Sequence, residues 1–391
     1  MHDQNQQTAR AGVYVEQAEG YRAFIPKTLP PNPAIAIDDE LAELLSKANR
    51  ALGRLDGSAE ILPNPDMFVA MYVRKEAILS SQIEGTQASL EDVLAYEAIS
   101  ERRKLSLAVG EVVNHVRAMS HGIERLKTLS VGSGLLKELH AILLRGVRGK
   151  ERSPCDFRRS QNWIGPPGSD LFTAIFVPPP AAEVERLMSD LEAYVSRDTT
   201  TPILIKCGLV HAQFETIHPF LDGNGRLGRL LVTLLLSEQR IIARPLLYLS
   251  AYYKQYRAEY YDLLQRVRDT GDWESWLKFF LRGIWLVSEE AFGTARQILA
   301  MREEHRQFIL KHVRGSAKGL QLLDLLFQEP MTNIREVARL LDVTYPAANN
   351  LVTEFVRHSL LEEITGQQRN RLFVYEPYVA LLRKGTEPPT P

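Results

Sequence analysis

The sequence predicts a mainly α-helical fold, and three observations carry that reading. Apolar residues recur three or four apart over long stretches, as in Leu41, Leu44 and Leu45 or Trp273, Trp276, Phe279, Phe280 and Ile284, the period of helices with one buried face. Start and stop signals bracket most of these segments. Strand-like composition is confined to short pieces near 171–177 and 361–375.

The elements follow in order. Residues 1–35 read as an extended lead-in, since Pro26, Pro30, Pro31 and Pro33 forbid a regular helix over its second half. A first helix starts at Asp38. A second runs from Pro65 or Asp66 through Val69, Val73 and Ile78 to Glu84 and Gly85, where glycine suits the left-handed residue that closes a helix. A third opens at Ser89–Leu90, and two more fill 107–148, the second from Ser133. Residues 150–180 differ: Asn162 to Asp170 is rich in turn formers, and Leu171 to Val177 has strand composition ending at Pro178. This is a short hairpin in a helical setting. Helices resume at 181–196, 202–215, 225–239 and 251–268, and another runs from Asp272 toward Val313.

The last stretch has its own plan. Gln321–Leu326 and Ile334–Leu341 are helices, the second capped by Thr332 or Asn333. A turn at Asp342–Thr344 leads into a helix from Tyr345 to His358, and Leu361–Thr365 and Leu372–Tyr375 are strands joined by a polar turn. Helix, helix, turn, helix and hairpin make a winged helix-turn-helix. Residues 385–391 read as a frayed tail.

Composition narrows the function classes. With Lys+Arg 47 against Asp+Glu 48 and a net charge of -1, nothing drives the whole chain toward nucleic acid or an anionic membrane. Two cysteines build neither a disulfide framework nor a zinc cluster, so the expected compartment is a reducing cytoplasm. The polar N-terminus offers no apolar signal core, and no apolar run is long enough to span a bilayer. Within 316–391, eight basic residues face nine acidic ones, weak support for DNA binding. A protein target, or the rest of the chain, is the other reading for this module.

The chemistry concentrates at His218-Pro-Phe-Leu-Asp222-Gly223-Asn224-Gly225-Arg226-Leu227-Gly228-Arg229. Gly-Asn-Gly suits the tight turn that opens a helix, where unpaired N–H groups and the positive end of the helix dipole form an anion site. Arg226 and Arg229, three apart, project from one side of the first turns, so a polyphosphate fits. Asp222 can hold the Mg²⁺ that accompanies nucleotide phosphates. Asn224 adds an amide donor. His218 is the group in the segment able to move a proton near neutral pH. A zinc site on His218 and Asp222 is not expected, because no third strong ligand stands at helical spacing.

These residues resemble the signature of the Fic family, H-x-F-x-[D/E]-G-N-G-R-x-x-R, with every defined position filled. The likeness covers most of residues 20–290. Fic proteins are mostly adenylyltransferases that move AMP from ATP to a protein hydroxyl. The resemblance implies a helical Fic core with a β-hairpin flap, ATP as substrate, Mg²⁺, release of pyrophosphate, and Tyr, Thr or Ser side chains of proteins as acceptors, the chain itself among the candidates. It puts the base on His218, the metal on Asp222, and ATP contacts on Gly223, Asn224, Gly225, Arg226, Leu227, Gly228 and Arg229. It places a target-docking strand at Thr173, Ala174, Ile175 and Phe176, puts Tyr260 beside the adenine, and implies a homodimer. The expected division is an N-terminal helical region over 1–110, a Fic core over 111–290, and a linker helix with the winged helix-turn-helix over 291–391.

Ser80-Ser-Gln-Ile-Glu84-Gly85 resembles the family's inhibitory motif, [S/T]-x-x-x-E-[G/N]. In relatives its glutamate pairs with the second signature arginine, which implies Glu84 on Arg229 at the γ-phosphate subsite of ATP. Two other readings stand beside AMP transfer: removal of AMP or transfer of another nucleotide, and a DNA-binding regulator whose Fic core senses nucleotide.

Overall fold

A computed structural model of the chain describes residues 10–60, 65–98, 106–149 and 151–387. The polar start at residues 1–9 and the last four residues of the expected tail lie outside the described residues. In chain order the elements are β1 (Gly12–Glu16), β2 (Arg22–Pro26), α1 (Asp39–Glu60), α2 (Pro65–Ile83), α3 (Leu90–Ala98), α4 (Leu107–Arg125), α5 (Ser133–Leu143), α6 (Ala181–Arg197), α7 (Ile203–Ile217) and α8 (Asn224–Glu238). There follow α9 (Ser250–Gln255), α10 (Arg257–Thr270), α11 (Trp273–His312), α12 (Ser316–Gln328), β3 (Met331–Asn333), α13 (Ile334–Leu341), α14 (Tyr345–Arg357), β4 (Glu362–Glu363), β5 (Leu372–Val374) and α15 (Glu376–Arg383). The fold is mainly α. No helix among the described residues is long and apolar enough to cross a membrane.

The chain divides into two compact units, each assembled from two stretches: Met1–Asp56 with Asn114–Glu289, and Gly57–Val113 with Glu290–Pro391. In the first, α7 is the central helix, buried from Leu204 to Ile217 and packed by α6, α8, α10 and β2. A helix buried on all sides must satisfy its polar side chains internally. Lys206 donates to the carbonyls of Val195 and Asp198, Gln213 to that of Lys27, and Thr216 to that of Ala212.

The lead-in is more structured than its prolines suggest. β1 and β2 pair antiparallel from Gly12↔Pro26 to Glu16↔Arg22. The Gln17 N–H donates to the Tyr21 carbonyl at 2.8 Å, closing the turn. The alternation that forms it, Val13 and Val15 outward with Phe24 inward, is too short to stand out before the prolines. The expected hairpin at 171–177 is narrower than its composition suggests. Ile164 and Phe176 form a single antiparallel bridge, while Asp170 Oδ1 accepts from the Phe172 and Thr173 N–H groups and holds 170–173 in a turn. Local side-chain bonds of this kind compete with a strand ladder. The expected helix 251–268 is two helices with Tyr256 between them at φ −109°, ψ 40°.

In the second unit α2 packs against α12 and α15, and α3 packs against β3. Gln82 Nε2 donates to the carbonyls of Ala88 and Thr386, at 3.0 and 2.9 Å. Thr386 is buried, so the expected tail is ordered at least to there. The helix α13 is capped by Asn333, whose side chain accepts from the Glu336 N–H, and α14 is capped by Thr344. The three-stranded antiparallel sheet has the order β3-β5-β4. Its edge strand β3 and the helix α15 lie beyond what the periodicity of the sequence discloses, β3 because it is three residues long.

Candidate active site

The signature spans the loop that joins α7 to α8 and the first turns of α8, all within the first unit. His218 ends α7 in the left-handed region, φ 50° and ψ 60°, an uncommon conformation for a residue with a side chain and one that clusters at functional sites. Gly223, at φ 80° and ψ 2°, precedes the first residue of α8. The Gly-Asn-Gly turn therefore opens the helix, and its N–H groups stand at the positive end of the helix dipole.

Asp222 Oδ1 accepts from the Gly223 N–H at 2.6 Å and lies 3.6 Å from the Arg226 guanidinium. The Asp222 side chain is 32% exposed, whereas Arg226 is 1% exposed. Leu227 is buried core, and Arg229 is buried beside it. Asn224, expected to offer its amide to a ligand, also closes the loop: Oδ1 accepts from the Phe220 N–H and Nδ2 donates to the Phe220 carbonyl, at 2.9 and 2.8 Å.

Residues that sequence reasoning passed over hold this loop. Arg158, buried, donates from Nε to the His218 carbonyl at 2.9 Å and from Nη2 to the Pro179 and Ile217 carbonyls. Burial pulls its pKa down to about 10. Asn162 Nδ2 donates to the Phe220 carbonyl at 2.9 Å. His140 stacks on Phe220 with ring centroids 3.9 Å apart. Its Nε2–H donates to the Asp222 carbonyl and its Nδ1 accepts from the Cys155 N–H. Only a neutral ring can do both, and burial duly pushes its pKa down to about 4. The signal available in the sequence was the polar run Arg158 to Asn162 inside a turn-rich segment.

A second group grips α8. His211 Nδ1–H donates to the Gly228 carbonyl, and Nε2 accepts from the Tyr260 hydroxyl, each at 2.9 Å. Burial lowers the His211 pKa to about 4, against the opposing pull of the Gly228 bond. His115 is buried too, and its pKa falls to about 3 through burial and the nearby Arg229 and Arg226 charges. Tyr260, expected beside the adenine, is 1% exposed. It stacks on Tyr253 at 4.4 Å and lies 6.0 Å from Trp276. Its ring is covered by the aromatic core and its hydroxyl is engaged by His211.

On the expected docking strand, Thr173 and Ile175 are exposed, Ala174 is half-buried and Phe176 is buried. Phe176 lies under the Arg268 guanidinium at 3.8 Å. Its side chain therefore anchors the segment, while Ile175, Phe172 and Trp163 present apolar surface. Ser80, Glu84 and Gly85 belong to the second unit. Ser80 is buried within α2; Glu84 follows the helix, and Gly85 turns the chain at φ 90°.

The Fic/DOC family N-terminal model matches residues 42–124, and the Fic/DOC family model matches 130–236. The chain belongs to the Fic/DOC family. A protein from Aquifex aeolicus named "Probable protein adenylyltransferase" is 28% identical over 175 residues, 45% of this chain and 51% of that protein. The protein adenylyltransferase Fic of Culex quinquefasciatus is 32% identical over 147 residues, 37% of this chain and 26% of that protein. The chain thus spans about half or less of the length of these relatives. The crystal structure of a Fic family protein from Desulfovibrio desulfuricans G20 superposes with a TM-score of 0.57 at 20% identity, covering 87% of this chain and 97% of the other. That likeness concerns the Fic fold.

Proposed function

We propose that this Fic chain transfers AMP from ATP to a hydroxyl side chain of a protein and releases pyrophosphate. The observation that carries the reading is the loop itself. One short turn sets an imidazole beside the N-terminus of α8, with a carboxylate and two buried arginines at its start. The adenylyltransferase names of the relatives support it.

In this reading the triphosphate lies on the N–H groups of Asn224 and Gly225, which are fixed before the reaction and so act as preorganised donors to developing charge, while the Gly223 N–H is held by Asp222. Arg226 and Arg229 contact the distal phosphates. His218 takes the proton of the target hydroxyl, a role worth about 10²–10⁴-fold. The hydroxyl oxygen bonds to the α-phosphorus as its bond to the bridging oxygen breaks.

Asp222 suits Mg²⁺. Among the described residues no cluster of three or more His, Cys, Asp or Glu is placed to hold a metal ion, and a lone partly exposed carboxylate is the kind of protein ligand Mg²⁺ takes when phosphates and water complete its shell. Bound there, the ion would neutralise phosphate charge.

The second part of the proposal is a brake in which Glu84 pairs with Arg229. A guanidinium held by a carboxylate is not available to the γ-phosphate, and the carboxylate repels that phosphate. The motif Ser80 to Gly85 and the helix end that presents it support this reading: Glu84 N–H donates to Ser81 and Gly85 N–H to Gln82.

For the C-terminal elements we favour a winged helix-turn-helix that docks protein. Two of its helix cations already face carboxylates, Arg357 with Glu354 and Arg339 with Glu336, which reduces the charge offered to phosphate backbones. Incubation with ATP labelled on the α-phosphate, beside equally labelled GTP, CTP and UTP, tests the reading. Covalent label from ATP is expected; label from none of the four would overturn it.

A further inference from the structure

The loop chemistry leaves one buried carboxylate without an assigned task. Glu215 lies on α7 three residues before His218, and its side chain is 8% exposed. Its Oε2 stands 3.9 Å from His218 Nδ1. Its other oxygen fills the space beside Gly228, where a Cβ would lie only 2.3 Å from Oε1. Gly228 is neither at a helix end nor at positive φ; it sits inside α8 between the two signature arginines, where glycine destabilises a helix relative to alanine. Backbone conformation does not ask for glycine at 228. The side chains packed against it do, the Glu215 carboxylate at 2.3 Å from that Cβ foremost and the Phe214 ring at 3.1 Å.

The charges around Glu215 are specific. Arg268, from α10, donates to the Glu215 carbonyl at 3.3 Å and to Thr216 Oγ1 at 3.2 Å. The Glu215 charge in turn offsets the effect of burial on this guanidinium. Tyr260, also on α10, feels the same carboxylate, and Arg229 acts on Tyr260 from α8. His218 faces the carboxylate from the end of α7.

We propose that Glu215 is the positioning residue of His218, and that Gly228 is glycine to admit its carboxylate. This rests on the reading of His218 as general base. The carboxylate facing Nδ1 holds the tautomer with hydrogen on Nδ1, so the lone pair of Nε2 receives the proton of the target hydroxyl. The hydroxyl oxygen forms its bond to the α-phosphorus, pyrophosphate departs with the electron pair of the broken bond, and the imidazolium that results is stabilised by the carboxylate. A carboxylate that fixes the tautomer and steadies the cation is a general solution for histidine bases, and such contacts are often long before substrate binds. The arrangement also links the base to the phosphate site, since the residue that makes room for Glu215 stands between Arg226 and Arg229.

The test has two arms on the full chain. Imidazole ¹⁵N NMR of the wild type and Glu215→Gln, with His218→Asn for assignment, reads the tautomer without reference to activity. The Nδ1–H form of His218 is expected in the wild type and its loss in Glu215→Gln; an Nε2–H form in the wild type, or an unchanged ring in the variant, overturns the proposal. The second arm measures single-turnover AMP transfer and ATP affinity in a Glu84→Gly background. Glu215→Gln should slow transfer by about 10- to 100-fold, with ATP affinity within about twofold, and should cost nothing further once His218 is Ala. Equal slowing with and without His218, or a rate that Glu215→Gln leaves intact, would contradict it. If Glu215→Gln does not fold, Gly228→Ala, which displaces the carboxylate, is read by the same NMR signal. If the parent transfers no AMP, the functional reading fails while the tautomer result still decides this one.

Discussion

Arg158 donates to the carbonyl of His218 at 2.9 Å. That bond holds the residue in its left-handed conformation from behind, and the same guanidinium reaches Pro179 at the end of the apolar segment that precedes α6. One buried side chain therefore holds both His218, the proposed base, and the end of that segment at Pro179.

Arg158→Met should accordingly lose more than a charge. Removing the guanidinium takes the main donor from the His218, Pro179 and Ile217 carbonyls, leaving only long bonds from Asn162 and Gln161 to the first two, and buried polar groups that lose their partners cost about 1–3 kcal/mol each. We expect a loss of stability of about 3 kcal/mol or more in urea unfolding, together with a marked drop in AMP transfer. Unfolding within about 0.5 kcal/mol of the parent would show that the bonds do not carry the loop.

Glu84→Gly should raise AMP transfer. If the carboxylate competes with the γ-phosphate for Arg229, its removal should increase the rate by about 5- to 150-fold, the usual span of a regulatory coupling. Both ATP affinity and label incorporation should rise; a variant that folds normally and labels no faster would remove the brake from the account.

Gln82 ties the end of α2 to Thr386, so the expected inhibitory helix and the C-terminal segment share a compact unit. Gln82→Ala should weaken hydrogen-exchange protection over residues 80–85, by about 1 kcal/mol per lost bond, with the central helix α7 unaffected. Unchanged protection would show that other contacts alone fix the helix end.

His211 makes stability depend on acid. Its native pKa lies near 4 against an ordinary 6.5, so below pH 6.5 the unfolded chain binds a proton that the buried ring refuses. This contribution is complete above about pH 6.5 and is lost as pH falls toward 4, about 2 kcal/mol of it by pH 5. Wild type should lose that much more stability than His211→Gln between pH 7.5 and pH 5, measured by urea unfolding. Equal losses in the two proteins would exclude the ring as the source.

The signature loop was legible because its parts are consecutive. Gly223, Asp222, Arg226 and His218 declare a turn, a carboxylate, a cation and a base within one stretch. Arg158, Asn162, His140, His211 and Glu215 come from other elements, and singly each looks like an ordinary buried or turn residue. Their meaning depends on which carbonyl or imidazole they meet, which spacing does not encode. Tyr260 shows the converse: an aromatic cluster in a sequence is compatible with a base pocket or a core, and the burial of its ring is not encoded in its spacing. Glycine carried a similar ambiguity, since Gly223 answers to backbone conformation and Gly228 to a neighbouring carboxylate. The β1–β2 hairpin was hidden by its brevity and the prolines that follow it.

In the proposed reaction His218 drives transfer of AMP, with its α-phosphorus, from ATP to protein. The most direct measurement compares Glu84→Gly with Glu84→Gly/His218→Ala after incubation with ATP labelled on either the α- or the γ-phosphate. The account predicts covalent protein label from the α-position only, abolished by the second substitution. Label from the γ-position, or α-label that survives the loss of His218, would contradict it.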